Sequence, residues 1–326
     1  MRAVVFEDTR KLVYREDYPT PVPGPGEVLV RVKYCGICGT DLHNYADKMY
    51  QAHIVMGHEF SGEVVAVGEG MQHIPVGTRG VGINVALDLN QGDSASMGIM
   101  SDGGFAELVR VREQEFFPIP DKVTFPEGAM IETFAVAVRA MKKARMHPRA
   151  RILIIGGGTI GLTNLAVLKA AQDPDYILVV EPQAFLREKA KELGATDAAP
   201  PSAAVVKRFM KQHGDVDIVF DCAGNEMSLS MAMNMVKRGG TIVWEGIHLG
   251  KIQVPIMLLN SREICLQGTL SHDREDITDA IAMVAGSRVD AKRMISEVVP
   301  LADLPATFER ALNPETRQFV KILVQL

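Results

Sequence analysis

Cysteine is scarce: only Cys35, Cys38, Cys222 and Cys265 occur among 326 residues. So few thiols exclude a disulfide-built scaffold and fit a reducing cytosol. Long apolar runs are also missing. No stretch approaches the ~18 consecutive apolar residues needed to span a bilayer. The opening MRAVVFEDTR has only a four-residue apolar run before its charges, too short for a secretory signal. Nor is there surplus positive charge. A formal net charge of -5 argues against nucleic acid as the main partner, because phosphate contacts need excess Lys and Arg. The local basic group Lys142, Lys143, Arg145, Arg149 and Arg151 reads as a solvated helix end. These absences leave a soluble, cytoplasmic protein with a small-molecule partner, no membrane and no nucleic acid.

What is there is ordinary globular material, 47% hydrophobic and 23% charged. The length predicts two domains. Residues 1 to 120 are β-rich, with short Val-rich runs such as Val28–Val32 and Gly62–Gly68 bounded by Gly and Pro. Pro19–Gly26 holds four prolines and two glycines and reads as a rigid loop. A helix is predicted from Pro126 to Ala144 by near-3.6 apolar spacing. Thereafter strands at Arg151–Ile155, Tyr176–Val180, Asp217–Asp221 and Thr241–Trp244 alternate with helices at Ile160–Ala171 and Phe185–Leu193. Such alternation predicts βαβ units and a parallel sheet. A helix at Asp273–Ala285 and a strand at Val320–Val324 can rejoin the β-rich part. The βαβ block then becomes an insertion. Cys222 and Cys265 lie in apolar, strand-like surroundings and read as small buried hydrophobes.

Ile152–Ile155 runs into Gly156-Gly157-Gly158-Thr159-Ile160-Gly161, a strand entering G-x-G-x-x-G and then a helix. Gly156 permits the tight turn, Gly158 lets the backbone approach a pyrophosphate, and Gly161 lets helix pack on strand. The helix N-terminus offers N–H groups to phosphate. The motif alone is weak, but its strand and helix context is the one the chemistry requires. Glu181 follows 20 residues after Gly161, where an acid hydrogen-bonds ribose hydroxyls and repels a 2′-phosphate. NAD is therefore favoured over NADP. The competing reading is that Glu181 merely precedes a helix beginning at Pro182, and Arg187 nearby complicates the charge.

A second constellation is Cys38-Gly39-Thr40-Asp41-Leu42-His43 with Gly57-His58-Glu59-Phe60. Zinc binds thiolate, imidazole and carboxylate, and a catalytic site takes three protein ligands with one open position. Cys38 and His58 can supply two. Cys35-x-x-Cys38 lacks a second C-x-x-C for a zinc ribbon, and its flanking glycines open no redox helix. His58-Glu59 is no start of H-E-x-x-H, since residue 62 is Gly. His53 and His73 have no supporting partners and read as exposed loop residues.

Together these motifs resemble the zinc-containing medium-chain alcohol dehydrogenase family, in particular its sorbitol and threonine dehydrogenase branch. The likeness runs along essentially the whole chain. It is carried by Gly24–Val30, Cys35–His43, Gly57–Gly62, Asp102–Glu107, Gly156–Gly161, Asp217–Gly224 and Gly239–Thr241. It implies a β-rich GroES-like catalytic domain at 1–133 and 270–326 and a doubly wound Rossmann domain at 134–269. It further implies Cys38, His58 and Glu132 as zinc ligands, with Glu59 either ligating zinc or exchanging with water. Thr40 would take the substrate proton, His43 would pass it outward, and Asp41 would orient the ligating histidine. Gly156, Gly158, Thr159, Ile160, Gly161 and Glu181 would hold the dinucleotide. A homodimer or homotetramer is implied, with Thr241–Trp244 as a possible edge.

Three departures from the family pattern stand out. Asn84–Ser101 contains no cysteine where the family has a structural zinc lobe, so one catalytic zinc and no structural zinc are expected. Thr133 follows Glu132 where the branch has Pro, and Leu186 stands where an Arg is common, with Arg187 one residue later. The expected activity is hydride transfer between NAD and a polar secondary alcohol, with a polyol or sugar alcohol favoured. Tyr45, Tyr50, Met56 and Ser94–Met100 are candidate pocket residues, or equally plain core or loop. An amino-alcohol substrate such as threonine would need a cation, for which Lys48 is the candidate. A zinc-free quinone or enoyl reductase is the competing enzyme reading, and a cofactor binder without catalysis the competing non-enzyme one.

Overall fold

Short Val-rich runs bounded by turn formers fold as strands because β-branched side chains pack well on a pleated surface. The computed structural model describes residues 1–71, 73–84, 96–313 and 318–326. The cysteine-free segment at 84–101 therefore falls largely outside the described residues. The chain divides into two compact units, Met1–Glu132 with Asp273–Leu326, and Thr133–His272.

In the first unit, β1 (Ala3–Asp8), β2 (Lys11–Arg15) and β4 (Ile54–Val55) form a three-stranded antiparallel sheet. A seven-stranded sheet takes β3 (Glu27–Gly36), β5 (Phe60–Val67), β6 (Arg79–Gly82), β7 (Leu108–Arg112), β8 (Phe116–Pro118), β15 (Ile295–Pro300) and β16 (Lys321–Gln325). Its order is β15-β16-β3-β5-β6-β8, with β7 also on β3. The C-terminal strand β16 lies antiparallel to β3, with Val324 opposite Cys35. The last residues of the chain thus sit beside the segment that carries the cysteine motif. Phe6, Phe60, Phe105 and Phe308 are fully buried here, and Tyr45 and Phe105 meet Phe308 edge-on at 5.4 and 6.0 Å. The helices are α1 (Gly39–Asp47), α2 (Phe125–Gly128), α9 (Arg274–Ala285) and α10 (Leu304–Leu312). The single helix expected over Pro126–Ala144 is instead two. The chain closes α2 at Ala129, and α3 (Ile131–Lys143) begins afresh with Glu132 in its first turn.

The second unit is a six-stranded parallel sheet. It is built from β9 (Arg151–Ile155), β10 (Tyr176–Val180), β11 (Asp197–Ala199), β12 (Val216–Asp221), β13 (Val236–Trp244) and β14 (Cys265–Gly268). The order is β11-β10-β9-β12-β13-β14. Ile152, Leu153 and Ile154 are fully buried, as continuous apolar runs are when helices cover both faces of a parallel sheet. The crossovers are α4 (Thr159–Ala171), α5 (Ala184–Glu192), α6 (Ala203–His213), α7 (Glu226–Met235) and α8 (Ile256–Ser261). The strand order reverses between β9 and β12, a switch point whose carboxyl ends open a ligand crevice. Thr241–Trp244 belongs to β13, which is flanked by β12 and β14. The expectation of an edge there is corrected: β14 is the edge strand on that side.

Candidate functional site

The candidate metal ligands are positioned by one helix start and one strand start. Cys38 is the N-cap of α1: its Sγ accepts from Thr40 N at 3.4 Å, and the Asp41 carboxylate accepts from Cys38 N at 2.9 Å. This reciprocal capping fixes the turn out of β3. His58 and Glu59 directly precede β5, only 6% and 1% exposed. One ligand atom from each of Cys38, His58 and Glu59 lies within 4.8 Å of the others. A thiolate, an imidazole and a carboxylate brought this close form a donor set that suits zinc. Asp41 Oδ1 stands 3.6 Å from His58 Nδ1, which leaves Nε2 for a metal. The contact is electrostatic, since Nδ1 has no hydrogen-bond partner.

Charge is dense around the trio. Burial drives the Asp41 and Glu59 carboxyls up from their ordinary range, and nearby His58 and Lys321 only partly counter it. Burial acts to lower His58, but Asp41, Cys38 and Glu132 overcome it and raise its pKa well above the usual value. Glu132 itself lies outside the 4.8 Å trio while acting electrostatically on His58, Glu59 and Lys321. Lys321, on β16, is 2% exposed and its Nζ contacts Glu59 Oε2. Burial disfavours its charge, yet Glu59, Cys38 and Glu132 raise its pKa. Gly36 makes this pairing possible: a Cβ there would collide with Glu59 Oε2 and lie 2.9 Å from Lys321 Cε.

In the second unit Gly156 takes φ +95°, which favours glycine. Gly158 is the N-cap of α4, and a Cβ on Gly161 would collide with the Gly156 carbonyl oxygen. First-turn residues Thr159 and Ile160 thus stand at an anion-receptive helix N-terminus. Glu181 is 6% exposed at the end of β10 and does not simply begin a helix, since α5 starts at Ala184. Its Oε2 accepts from Gly157 N at 2.7 Å and its Oε1 from Gln183 N at 2.8 Å. The acid therefore braces the glycine turn from below. Arg187 donates to the carbonyls of Glu181 and Pro182 at 2.9 and 2.6 Å, and Leu186 is buried.

A family model for the alcohol dehydrogenase GroES-like domain matches residues 24–121, and one for zinc-binding dehydrogenase matches residues 159–286. The (R,R)-butanediol dehydrogenase of Bacillus subtilis is 32% identical, covering 95% of both chains. The chain belongs to the zinc-binding alcohol dehydrogenase family. The dehydrogenase is also 29% identical to D-xylulose reductase of Saccharomyces cerevisiae, over 94% of this chain and 93% of that one. An alcohol dehydrogenase of Escherichia coli CFT073 solved with NADH superposes with TM-score 0.91 at 26% identity, covering 100% and 99% of the two chains. A zinc-binding dehydrogenase of Sinorhizobium meliloti solved with NADP gives 0.90 at 30%, with the same coverage.

Several readings left open by the sequence are decided in this dehydrogenase. Tyr45 is core, 3% exposed, its hydroxyl donating to Glu309 Oε1 and the Arg10 carbonyl. Met56 is 1% exposed and likewise core. Lys48 is engaged with Asp8 at 2.8 Å and gives no evident partner for a substrate carboxylate. Cys222 is not in apolar surroundings: its thiol lies 3.6 Å from a Glu245 oxygen and 3.4 Å from the Asn164 amide nitrogen. Tyr50 stays near the centre, where Cys38 contributes to raising its hydroxyl pKa behind the larger effect of burial. Ser94 lies outside the described residues, while Met100 is exposed, as are His53 and His73.

Lys321 was missed by sequence reasoning. Its signal was a charge inside the apolar run Phe319-Val320-Lys321-Ile322-Leu323-Val324, at a position where period-2 alternation puts it on one face with Leu323. A lysine in a buried strand demands a partner.

Proposed function

We propose that this chain is a zinc-dependent, NAD-linked dehydrogenase of polar secondary alcohols, polyols or sugar alcohols foremost. The first unit is read as catalytic and the second as the cofactor unit. The observation that carries the proposal is the convergence of Cys38, His58 and Glu59 donor atoms within 4.8 Å, mostly buried. Cys38, His58 and Glu132 are read as the ligands, with Glu59 in reach. Zinc held there supplies a Lewis acid for an alcohol oxygen, and the dinucleotide accepts hydride. Asp41 sets the ring of His58, and the Lys321 ammonium holds one oxygen of Glu59. Thr40 and His43 are three apart on α1, hence neighbours on one helix face. That face leads from half-buried Thr40 to exposed His43, which supports reading Thr40 as the group that takes the proton and His43 as the one that releases it to water.

NAD is favoured because the Glu181 carboxylate would repel a ribose 2′-phosphate. One zinc per chain is expected, because beyond Cys38 no cluster of cysteines exists in the sequence. Relatives named for D-xylulose and butanediol support a substrate with neighbouring hydroxyl or keto oxygens. The four cysteines are free, which suits a reducing cytoplasm. The exposed edge strand β14 suits assembly as a homodimer or homotetramer. Among the described residues no helix is long and apolar enough to cross a membrane.

Elemental analysis with an activity screen tests this. About one zinc per chain with NAD-dependent oxidation of a polyol is the expected result. No zinc after the metal is offered back, with reduction of quinones or enoyl compounds, would transfer the assignment to a zinc-free reductase.

A further inference from the structure

Beneath the glycine turn lies a polar cluster for which the proposed chemistry has no use. Asn164 on α4, Cys222 after β12 and Glu245 after β13 converge. Asn164 Nδ2 donates to Glu245 Oε1 at 2.6 Å, and the Cys222 thiol reaches the same oxygen at 3.6 Å. Glu245 Oε2 and Asn164 Oδ1 are both buried with no hydrogen-bond partner. Two buried acceptors left orphaned beside an existing hydrogen bond are costly. A proton on Glu245 Oε2 removes one of the two orphaned acceptors by making it a donor. The acidic groups facing Glu245 are Asp221 at the end of β12 and the Cys222 thiol, while Asn164 is the neutral partner from α4. No cation meets it among the described residues.

The cluster touches the cofactor turn directly. The Cys222 N–H donates to Ile155 O at 2.9 Å, and a Cβ on Gly156 would meet the Cys222–Ala223 backbone at 3.3–3.4 Å. The Glu245 and Gly246 N–H groups donate to Asp221 O at 2.9 and 3.0 Å. Asp221 Oδ1 in turn accepts from Ala223 N and Gly224 N at 3.1 and 3.0 Å.

We infer that Glu245 is a positioning residue for the dinucleotide turn: as a neutral acid it ties α4 to the carboxyl ends of β12 and β13, and its ionisation loosens that cradle and weakens cofactor binding. The inference rests on the dinucleotide reading of this unit. Burial supports it, pushing the Glu245 carboxyl up to about 8 against the opposing pull of its Asn164 and Cys222 hydrogen bonds. Below that pH the acid keeps its proton. Above it the proton leaves, and a carboxylate faces Asp221 with no counter-charge.

NADH fluorescence titration across pH tests this in the intact enzyme. If only the protonated form binds well, affinity falls with the protonated fraction, about tenfold weaker at pH 9 than at pH 7. Glu245→Gln, which stays neutral, is expected to bind NADH with a flat profile over the same range. Infrared spectroscopy gives a second readout: a carboxylic-acid carbonyl band at neutral pH, lost on alkaline titration and missing from the variant. If Glu245→Gln does not fold, Glu245→Met serves both comparisons. Parallel profiles in wild type and variant, or no such band, overturn the inference alone. Wild type that fails to bind NADH even at neutral pH overturns the cofactor reading and this inference with it.

Discussion

Lys321→Met removes the ammonium and keeps the length of the side chain. What remains is a Glu59 carboxyl, 1% exposed, facing Cys38 and Glu132 with only His58 to offset them. Removing one partner of a buried ion pair typically costs about 3–5 kcal/mol, because the other charge is left uncompensated. For a body of this size roughly 2–4 °C are lost per kcal/mol, so the first unit of the metal-stripped enzyme should melt roughly 6–20 °C lower. The sign with pH follows from Glu59. Its folded pKa is already raised by burial and rises further without the lysine. Stability is then fullest below the unfolded carboxyl pKa and is lost as pH climbs toward the folded one. The penalty of Lys321→Met therefore grows from acid toward neutral pH. Zinc acts in the opposite direction, because a dication beside the trio replaces the missing charge.

Calorimetry on stripped and zinc-loaded protein, each at acid and neutral pH, reads all of this. The double variant Lys321→Met with Glu59→Gln should recover much of the loss, since it removes both charges together. A penalty below about 1 kcal/mol would place the pair with ordinary surface bridges. Equal penalties with and without zinc would separate Lys321 from the metal centre. Either result refutes the reasoning.

Three further outcomes are expected. Asp41→Asn should weaken zinc about 10–100-fold, measured by chelator competition, because His58 loses the acid that orients its ring. Zinc uptake should release protons. His58 has a pKa raised well above the ordinary value in the metal-free protein, through Asp41 and Cys38 acting against burial, and must lose its proton to bind. Affinity should then fall by about tenfold per pH unit per proton as pH drops, and calorimetry in buffers of different ionisation heat counts the protons. Gly161→Ala should abolish NADH binding or unfold the second unit, as its Cβ would collide with the Gly156 carbonyl. NADH fluorescence with circular dichroism separates those two results, and unaltered binding would refute the close packing.

Much of the second unit was legible because its signals are local. Arg151–Ile155 is apolar and short, and the glycine turn and an amphipathic or apolar helix follow in sequence order, so strand, turn and helix could be assigned without tertiary knowledge. Cys38 and Asp41 were singled out through the family resemblance; that they form a helix N-cap and its reciprocal acid three residues apart is what the structure adds. The break between α2 and α3 was not legible. Apolar spacing runs on through Ala129 and Met130, both fully buried, and periodicity alone does not distinguish a continued helix from two that share one buried face.

What stayed hidden depends on residues far apart in sequence. Glu59 and Lys321 are 262 residues apart, and only the antiparallel docking of β16 on β3 brings them together. Tyr45, open between pocket and core in the sequence, shows the converse case. A tyrosine two residues beyond His43 looked like a pocket residue, but Glu309 and Phe308 on α10 turn it into core. Both cases concern polar atoms whose burial is decided by a partner strand or helix. Read from the sequence, each polar residue in an apolar run is a demand for a partner, and the partner's identity is a tertiary fact. The demand itself was visible at Lys321 and at Glu245 in Val243-Trp244-Glu245. Lys321 meets its demand at Glu59 beside the candidate metal ligands, and Glu245 meets part of its own at Asn164 beside the glycine turn; no motif includes either residue.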